Sequence, residues 1–330
     1  MIPLRVGICI IEHTRSKLML PKLLQDLCKD GSIEFVVMDM NADLEEQGPF
    51  DVIIHKILEW YNHGLETGNS KLRKLLNYVS SCPQIPKVLD PIEETVRLAD
   101  RFYSMQIMED CQFVMNGIRV YVPKFTFLKK TDSEHILEII DKKGMDFPII
   151  TKPHVTRCDA EAHDMAIIFS EAAVTDINFP CVIQQFVNHN SMLYKVAAVG
   201  QRMYICERPS VKNLERSLDD TVYFDSMTVS KRNVHNKDLH DRNPQKMQFQ
   251  TSVTSDEPLL DEQVVGELIK RITNRIDLTL FGVDIIVDEK TGDYGLIDLN
   301  YLPSYDGVLT HFAEDMYRKL LTLKAEKTTK

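Results

Sequence analysis

No two cysteines in this chain stand in a C-x-x-C pair. The seven cysteines, Cys9, Cys28, Cys82, Cys111, Cys158, Cys181 and Cys206, are odd in number and widely scattered. That pattern argues against a disulfide framework or a zinc ribbon, and it reads as buried thiols in a reducing compartment. Long apolar runs are equally scarce. Val6 to Ile11 ends at Glu12 with no small-residue cleavage site, and no later segment approaches the roughly 18 uncharged apolar residues of a membrane span. A soluble, cytoplasmic protein is the expectation. Basic charge is in deficit, with 39 Lys and Arg against 49 Asp and Glu for a formal charge of −10. A general nucleic-acid binder needs a broad basic surface and is disfavoured, whereas a small anion held by a few clustered cations is not.

Catalytic signatures are missing too. The chain has no G-x-x-x-x-G-K-[ST] loop, no G-x-G-x-x-G after its first strand, no H-R-D and D-F-G set, no G-x-S-x-G elbow and no H-E-x-x-H. P-loop, dinucleotide, protein-kinase, serine-hydrolase and zincin chemistries therefore lack their residues. The ten histidines form no metal-ligand spacing, and there is no internal repeat.

The 330 residues are 44% hydrophobic and 27% charged, enough for about two domains with cores of their own. Strand patterns at Leu4 to Ile11, Ile33 to Met40 and Asp51 to His55, with a helix over Lys17 to Lys29, predict a small parallel α/β domain. A helix over Lys71 to Ser80 leads to Cys82-Pro83-Gln84-Ile85-Pro86 and Asp90-Pro91, which reads as a linker or hinge. A helical Glu93 to Asp110 follows. Strands at Ile118 to Leu128, Phe147 to Lys152, Met165 to Phe169, Cys181 to Val187 and Leu193 to Val199, with a helix over Ser133 to Lys143, predict antiparallel α+β structure. Ser210 to Gln250 is polar and reads as a long loop; a helix from Asp261 to about Asp277, two strands and a last helix from about Val308 to Leu323 complete the chain.

The most informative segment is Phe281-Gly282-Val283-Asp284-Ile285-Ile286-Val287, a polar turn through Gly292, then Tyr294-Gly295-Leu296-Ile297-Asp298-Leu299-Asn300. A hairpin turning near Thr291 pairs Asp284 with Asp298 and puts Asn300 on the same face. Carboxylates inside apolar strands need compensation, and a divalent cation with hard oxygen ligands, Mg²⁺, is the simplest. The bland alternatives are that Asp284 faces solvent on an edge strand or that Asp298 caps something local. Lys152 and Lys195 interrupt apolar strands and are candidates for phosphate contacts, or snorkelling lysines. Arg208 and Arg101 carry a weaker signal.

These stretches resemble the inositol polyphosphate kinases of the ATP-grasp fold, specifically the inositol 1,3,4-trisphosphate 5/6-kinase (inositol-tetrakisphosphate 1-kinase) family. The resemblance is carried by Glu45-Glu46-Gln47-Gly48-Pro49-Phe50-Asp51-Val52-Ile53-Ile54-His55-Lys56, Val88-Leu89-Asp90-Pro91, Val182 through Asn190, Leu193-Tyr194-Lys195-Val196, Arg208-Pro209-Ser210 and the hairpin. It implies a small N-terminal α/β domain over residues 1–90 on the substrate side, a central ATP-grasp subdomain over 91–190 and a C-terminal one over 191–330 with the metal site. It further implies that Arg101, Lys152, Gln184, Gln185, Phe186, Val187, Lys195, Ser210, Ser226 and Ser230 bind ATP, and that Asp284, Asp298 and Asn300 hold two Mg²⁺. Lys56, His163, Lys195, Arg208 and Asn300 would face the inositol phosphate, Lys195 and Arg208 as catalytic residues, in a monomer that uses ATP as co-substrate. Two departures stand out. Thr14 replaces a family lysine, so Arg15 or Lys17 would compensate, and Pro153 to His163 has no glycine where the family has a Gly-containing loop. Three readings follow: an active kinase, a degenerate member that binds without turnover, and an ATP-grasp ligase sharing the metal site.

Overall fold

In a computed structural model, the structure describes residues 2–11, 28, 30–58, 65–155, 163–214, 221–229, 260–303 and 309–328. The N-terminal strands are β1 (Leu4–Cys9), β2 (Ile33–Val37) and β3 (Val52–His55), followed by helix α1 (Leu65–Ser81) and β4 (Lys87–Leu89). They form a parallel sheet in the order β2-β1-β3-β4. β1 and β3 are mostly apolar and almost wholly buried, as a sheet covered on both faces requires. The segment read as a linker thus contains a strand. β4 was hidden because the strand is only three residues long, in a stretch bounded by Pro86 and Pro91 that is too short to show periodicity. The predicted helix Lys17 to Lys29 lies outside the described residues apart from Cys28.

The predicted helix Glu93 to Asp110 is two helices, α2 (Ile92–Arg97) and α3 (Arg101–Asp110). Asp100 is extended and its carboxylate accepts from the Tyr103 N–H, so it restarts the helix as an N-cap. Next come β5 (Phe113–Met115), β6 (Ile118–Tyr121) and β7 (Phe125–Leu128). Pro123 divides the single run predicted over Ile118 to Leu128, having no N–H for a ladder. Helix α4 (Ser133–Lys143) matches its predicted bounds and ends on Gly144 at φ 59°, the left-handed cap that glycine adopts without strain. It is followed by β8 (Ile149–Pro153), β9 (Asp164–Ile168) and β10 (Cys181–Gln185).

The strands β11 (Met192–Val199) and β12 (Arg202–Pro209) lead into the polar segment, whose described part is not all loop. It contributes β13 (Val222–Asp225) and a single turn, α5 (Ser226–Val229). Helix α6 (Glu262–Ile276), β14 (Leu280–Val287), β15 (Tyr294–Tyr301) and α7 (Leu309–Thr328) finish the chain. Two further sheets result. One is antiparallel in the order β13-β9-β8-β10-β7; the other runs β12-β11-β14-β15-β6-β5, antiparallel except for β15 beside β6. α4 covers one face of the five-stranded sheet through Ile136 and Ile140, against Ile149 and Ile183. α3, α6 and α7 cover the six-stranded sheet through residues such as Met105, Leu268 and Phe312. The five-stranded sheet's opposite face, bearing Val182 and Phe125, belongs to that larger core, so the two sheets meet there.

Candidate active site

Register alone collects five candidate residues on one face of the six-stranded sheet. Lys195 on β11 lies directly opposite Asp284 on β14, and Asp284 directly opposite Asp298 on β15. Cys206 of β12 pairs with Lys195, so Arg208, two residues on, shares this face, as does Asn300 beyond Asp298. The predicted pairing of Asp284 with Asp298 is present, with one refinement. The register shifts between Asp284 and Ile285, leaving Ile297 as an extra residue in a β-bulge.

The carbonyl of that bulged Ile297 accepts a hydrogen bond from the Lys152 ammonium at 2.9 Å, so β8 of the facing sheet is tied to the hairpin. Lys152 is 4% exposed and does not snorkel. Burial, reinforced by the charge of Arg101, pulls its pKa down to about 7. Arg101, the first residue of α3, is 3% exposed; its Nε donates to Pro153 O at 2.9 Å and Nη1 sits 3.3 Å from Asp298 Oδ1. Lys195 Nζ stands 2.6 Å from Asp284 Oδ2, and Asn300 Nδ2 donates to Asp298 Oδ2 at 2.9 Å. Burial raises the Asp284 carboxyl, Lys195 opposing and Asp298 adding to the rise. Burial would raise Asp298 as well, but Arg101 and Lys152 outweigh it and hold this carboxyl below the usual range. Two acids on β14 and β15 and three cations on β8, β11 and α3 thus offset one another where the two larger sheets meet, the compensation that the sequence argument assigned to a metal.

The donor set fits a hard cation: two carboxylates face each other across one ladder with an amide oxygen alongside. Among the described residues no three His, Cys, Asp or Glu side chains gather around one point. A cation here would complete its shell with Asn300, water and phosphate oxygens.

Gln184, 1% exposed, shares the Lys152 face of the five-stranded sheet, since β10 pairs Val182 with Lys152 and Gln184 with Ile150. Gln185 alternates to the other face, where its amide grips Asp146, accepting from N and donating to O, each at 2.7 Å. Phe186 packs with Ile167 and Val211, and Val187 O accepts from His189 Nδ1 at 2.6 Å. With Nδ1 donating, Nε2 accepts from Ser210 Oγ at 2.7 Å, and burial keeps the imidazole neutral by lowering its pKa. Asn213 completes this corner. Its Oδ1 accepts from the backbone N of His189 at 3.0 Å and of Asn190 at 2.8 Å. The resemblance placed His189 within the adenine-side hinge segment Gln184 to Lys195 without giving it a role of its own, and sequence reasoning did not name Asn213.

His163 and Ser226 meet each other at the shared end of β9 and β13, Nδ1 to Oγ 3.3 Å. Lys56 follows β3, half-buried, with its N–H donating to Cys9 O at 3.0 Å. Arg15, Lys17, Ser230 and the glycine-free stretch 156–162 lie outside the described residues.

This arrangement of three sheets is that of the ATP-grasp proteins. The chain superposes with a TM-score of 0.59 on D-alanine–D-alanine ligase from Bacillus anthracis, covering 98% of this chain and 96% of that one at 13% identity. It does so with 0.60 on the ATP-grasp ligase PsnB complexed with a phosphomimetic variant of its minimal precursor, Mg and ADP, over 98% and 99% at 11% identity. At such identity the likeness establishes the fold alone. The family follows from sequence. The profile described as inositol 1,3,4-trisphosphate 5/6-kinase ATP-grasp domain matches residues 114–322, and that of the pre-ATP-grasp domain matches residues 5–95. Inositol-tetrakisphosphate 1-kinase of Danio rerio is 34% identical over 316 residues, 93% of this chain and 76% of that protein. The enzyme of the same name in Xenopus laevis is 31% identical over 327 residues, 97% and 78%. The chain belongs to the inositol 1,3,4-trisphosphate 5/6-kinase family, ATP-dependent phosphotransferases of the ATP-grasp fold.

Proposed function

We propose that this chain moves the γ-phosphoryl of ATP to a hydroxyl of inositol 1,3,4-trisphosphate or inositol 3,4,5,6-tetrakisphosphate at the cleft between the two larger sheets. The observation that carries the reading is the convergence of Asp284, Asp298 and Asn300 with Lys152, Lys195 and Arg101. Phosphoryl transfer needs placement and charge neutralisation more than covalent help, and this set offers both. Mg²⁺, two ions held by Asp284, Asp298 and Asn300, would supply charge neutralisation for the phosphate oxygens. Arg101 and Lys152 exchange their present contacts for phosphates of ATP, while Gln184 to Val187, Ser210, Ser226 and Ser230 line the nucleotide. Lys195 and Arg208 face the transferred group, and Lys56, His163, Arg15 and Lys17 hold the phosphates of the inositol ring. A cytoplasmic setting fits the six free cysteines among the described residues, and the monomer is carried by the family resemblance alone.

The test is incubation with Mg²⁺, labelled ATP and a panel of inositol tris- and tetrakisphosphates, with Asp298→Asn alongside. Product that disappears in the variant, a loss on the order of a hundredfold or more for a charge aimed at the reacting phosphate, is the expected outcome. Absence of product with every panel member, in a protein that still binds ATP, overturns the kinase reading.

A further inference from the structure

The motif Val88-Leu89-Asp90-Pro91 and the residue after Asn300 have no part in the chemistry above, yet they meet. Tyr301 is 6% exposed, and its one hydroxyl proton is shared between His55 O at 2.8 Å and Leu89 O at 3.0 Å. It also accepts the Asp90 N–H at 3.1 Å. The Asp90 carboxylate reaches further, accepting the N–H of Leu280 at 2.7 Å where β14 begins. The N-terminal sheet is therefore pinned to both strands of the hairpin that bears Asp284, Asp298 and Asn300.

The same contacts hold the segment that carries Lys56. His55 is fully buried, its ring 5.3 Å from that of Tyr301. Its Nε2 donates to Asp90 O at 2.8 Å, which leaves Nδ1 to accept the N–H of Ile57 at 3.4 Å. With Lys56 N–H on Cys9 O, the backbone is gripped before, at and after Lys56. Tyr301 is next in sequence to Asn300, so one hydroxyl joins the two strands from which Lys56 and Asn300 project.

We propose that Tyr301 and Asp90 are positioning residues that set the spacing between Lys56 and the Asn300 end of the hairpin, and so specify how far the inositol phosphates stand from the transferred phosphoryl group. The inference rests on the reading of Lys56 as a substrate contact. Nothing covalent joins these strands, so their spacing depends on hydrogen bonds that are buried and hence costly to leave unmade. None of the contacts just described involves β8 or β10, which carry the nucleotide side in this reading.

The experiment is a kinetic double-mutant cycle with Tyr301→Phe and Lys56→Ala, using Mg²⁺, ATP and inositol 1,3,4-trisphosphate. Tyr301→Phe keeps the ring against His55 and is expected to raise the inositol phosphate KM about tenfold while the ATP KM stays within about twofold. In the Lys56→Ala background the same change should cost less than about twofold, because the residue through which it acts is gone. A merely structural role would lower the active fraction and leave both KM values unmoved. Equal losses in the two backgrounds, or an ATP KM that rises in step, overturn the proposal. Asp90→Asn, which keeps an acceptor for Leu280, should retain substrate affinity that Asp90→Ala loses; equal loss in both overturns the role given to Asp90. No turnover by the unaltered chain would sink the kinase reading instead, and calorimetric Kd values for inositol 1,3,4-trisphosphate in the same four proteins then decide the cycle.

Discussion

A lysine ammonium buried against a backbone carbonyl and a neighbouring arginine holds its proton weakly. Lys152 sits at about 7 in the free protein, first through burial and then through Arg101. An arriving triphosphate favours the charged form, so above pH 7 binding should take up a proton, approaching one per nucleotide around pH 8. Calorimetry of ATP binding in buffers of different ionisation enthalpy measures this directly, and the uptake should vanish in Lys152→Met. Proton release, or uptake unchanged in the variant, would show that Lys152 does not meet the phosphates. The chain announced Lys152 as an oddity, a cation inside an apolar strand. It said almost nothing of Arg101, because an arginine after a capping aspartate is ordinary until the packing of two sheets around it is known.

Among the elements, the hairpin and the corner at 188–191 show two ways of placing side chains. In the hairpin the pairing follows from two apolar strands and a short turn, so Asp284 opposite Asp298 was legible in advance. The bulge at Ile297 was not, since one extra residue leaves the alternation on either side intact. At the corner, Asn190 and Ser191 both have positive φ, 55° and 57°, a costly conformation for serine. Asn213 holds that turn by accepting two backbone N–H groups, and so keeps His189 under Ser210. Asn213→Ala should therefore lose about 1 kcal/mol of stability and raise the ATP KM severalfold with little effect on the inositol phosphate KM. Asn213→Asp, which keeps the acceptor, should restore most of both. Thermal unfolding with steady-state kinetics provides the check, and an unchanged ATP KM in Asn213→Ala would separate this corner from nucleotide binding.

At the scale of the whole molecule, the joint between the N-terminal sheet and the hairpin carries two titratable groups with opposed slopes. Asp90 is raised from 3.8 to about 6 by burial. The folded protein keeps a proton there that the unfolded chain releases, so this group's contribution to stability falls as pH rises between about 4 and 6. His55 is lowered from 6.5 to about 4 by burial. Here the unfolded chain binds the proton, and the contribution rises with pH between about 4 and 6.5. The two offset each other in the parent protein. Asp90→Asn removes the first and leaves the second, so relative to the parent the variant should gain stability, on the order of 2 kcal/mol, from about pH 4.5 to about pH 6.5. Urea midpoints across that range measure it; a flat difference would mean that Asp90 keeps an ordinary carboxylate pKa in the fold.

The sequence by itself determined what depends on neighbours along the chain. Period-two runs of β-branched residues, the apolar spacing over 133–143 and a turn between two apolar strands each act over a few residues, so most strands, α4 and the facing acids could be read directly, while β4, β5, β12 and β13 could not. The kinship could be read too, because its motifs are contiguous. Tertiary structure alone decided that Lys152 is buried on Ile297, that Arg101 meets Asp298, that three residues between prolines complete a sheet, and that Tyr301 closes on His55 and Asp90. The partners in the last contact are separated by 211 and 246 residues. No local preference encodes such a meeting; it exists only once burial of the apolar faces has offset the entropy of closing those loops and brought the sheets into contact.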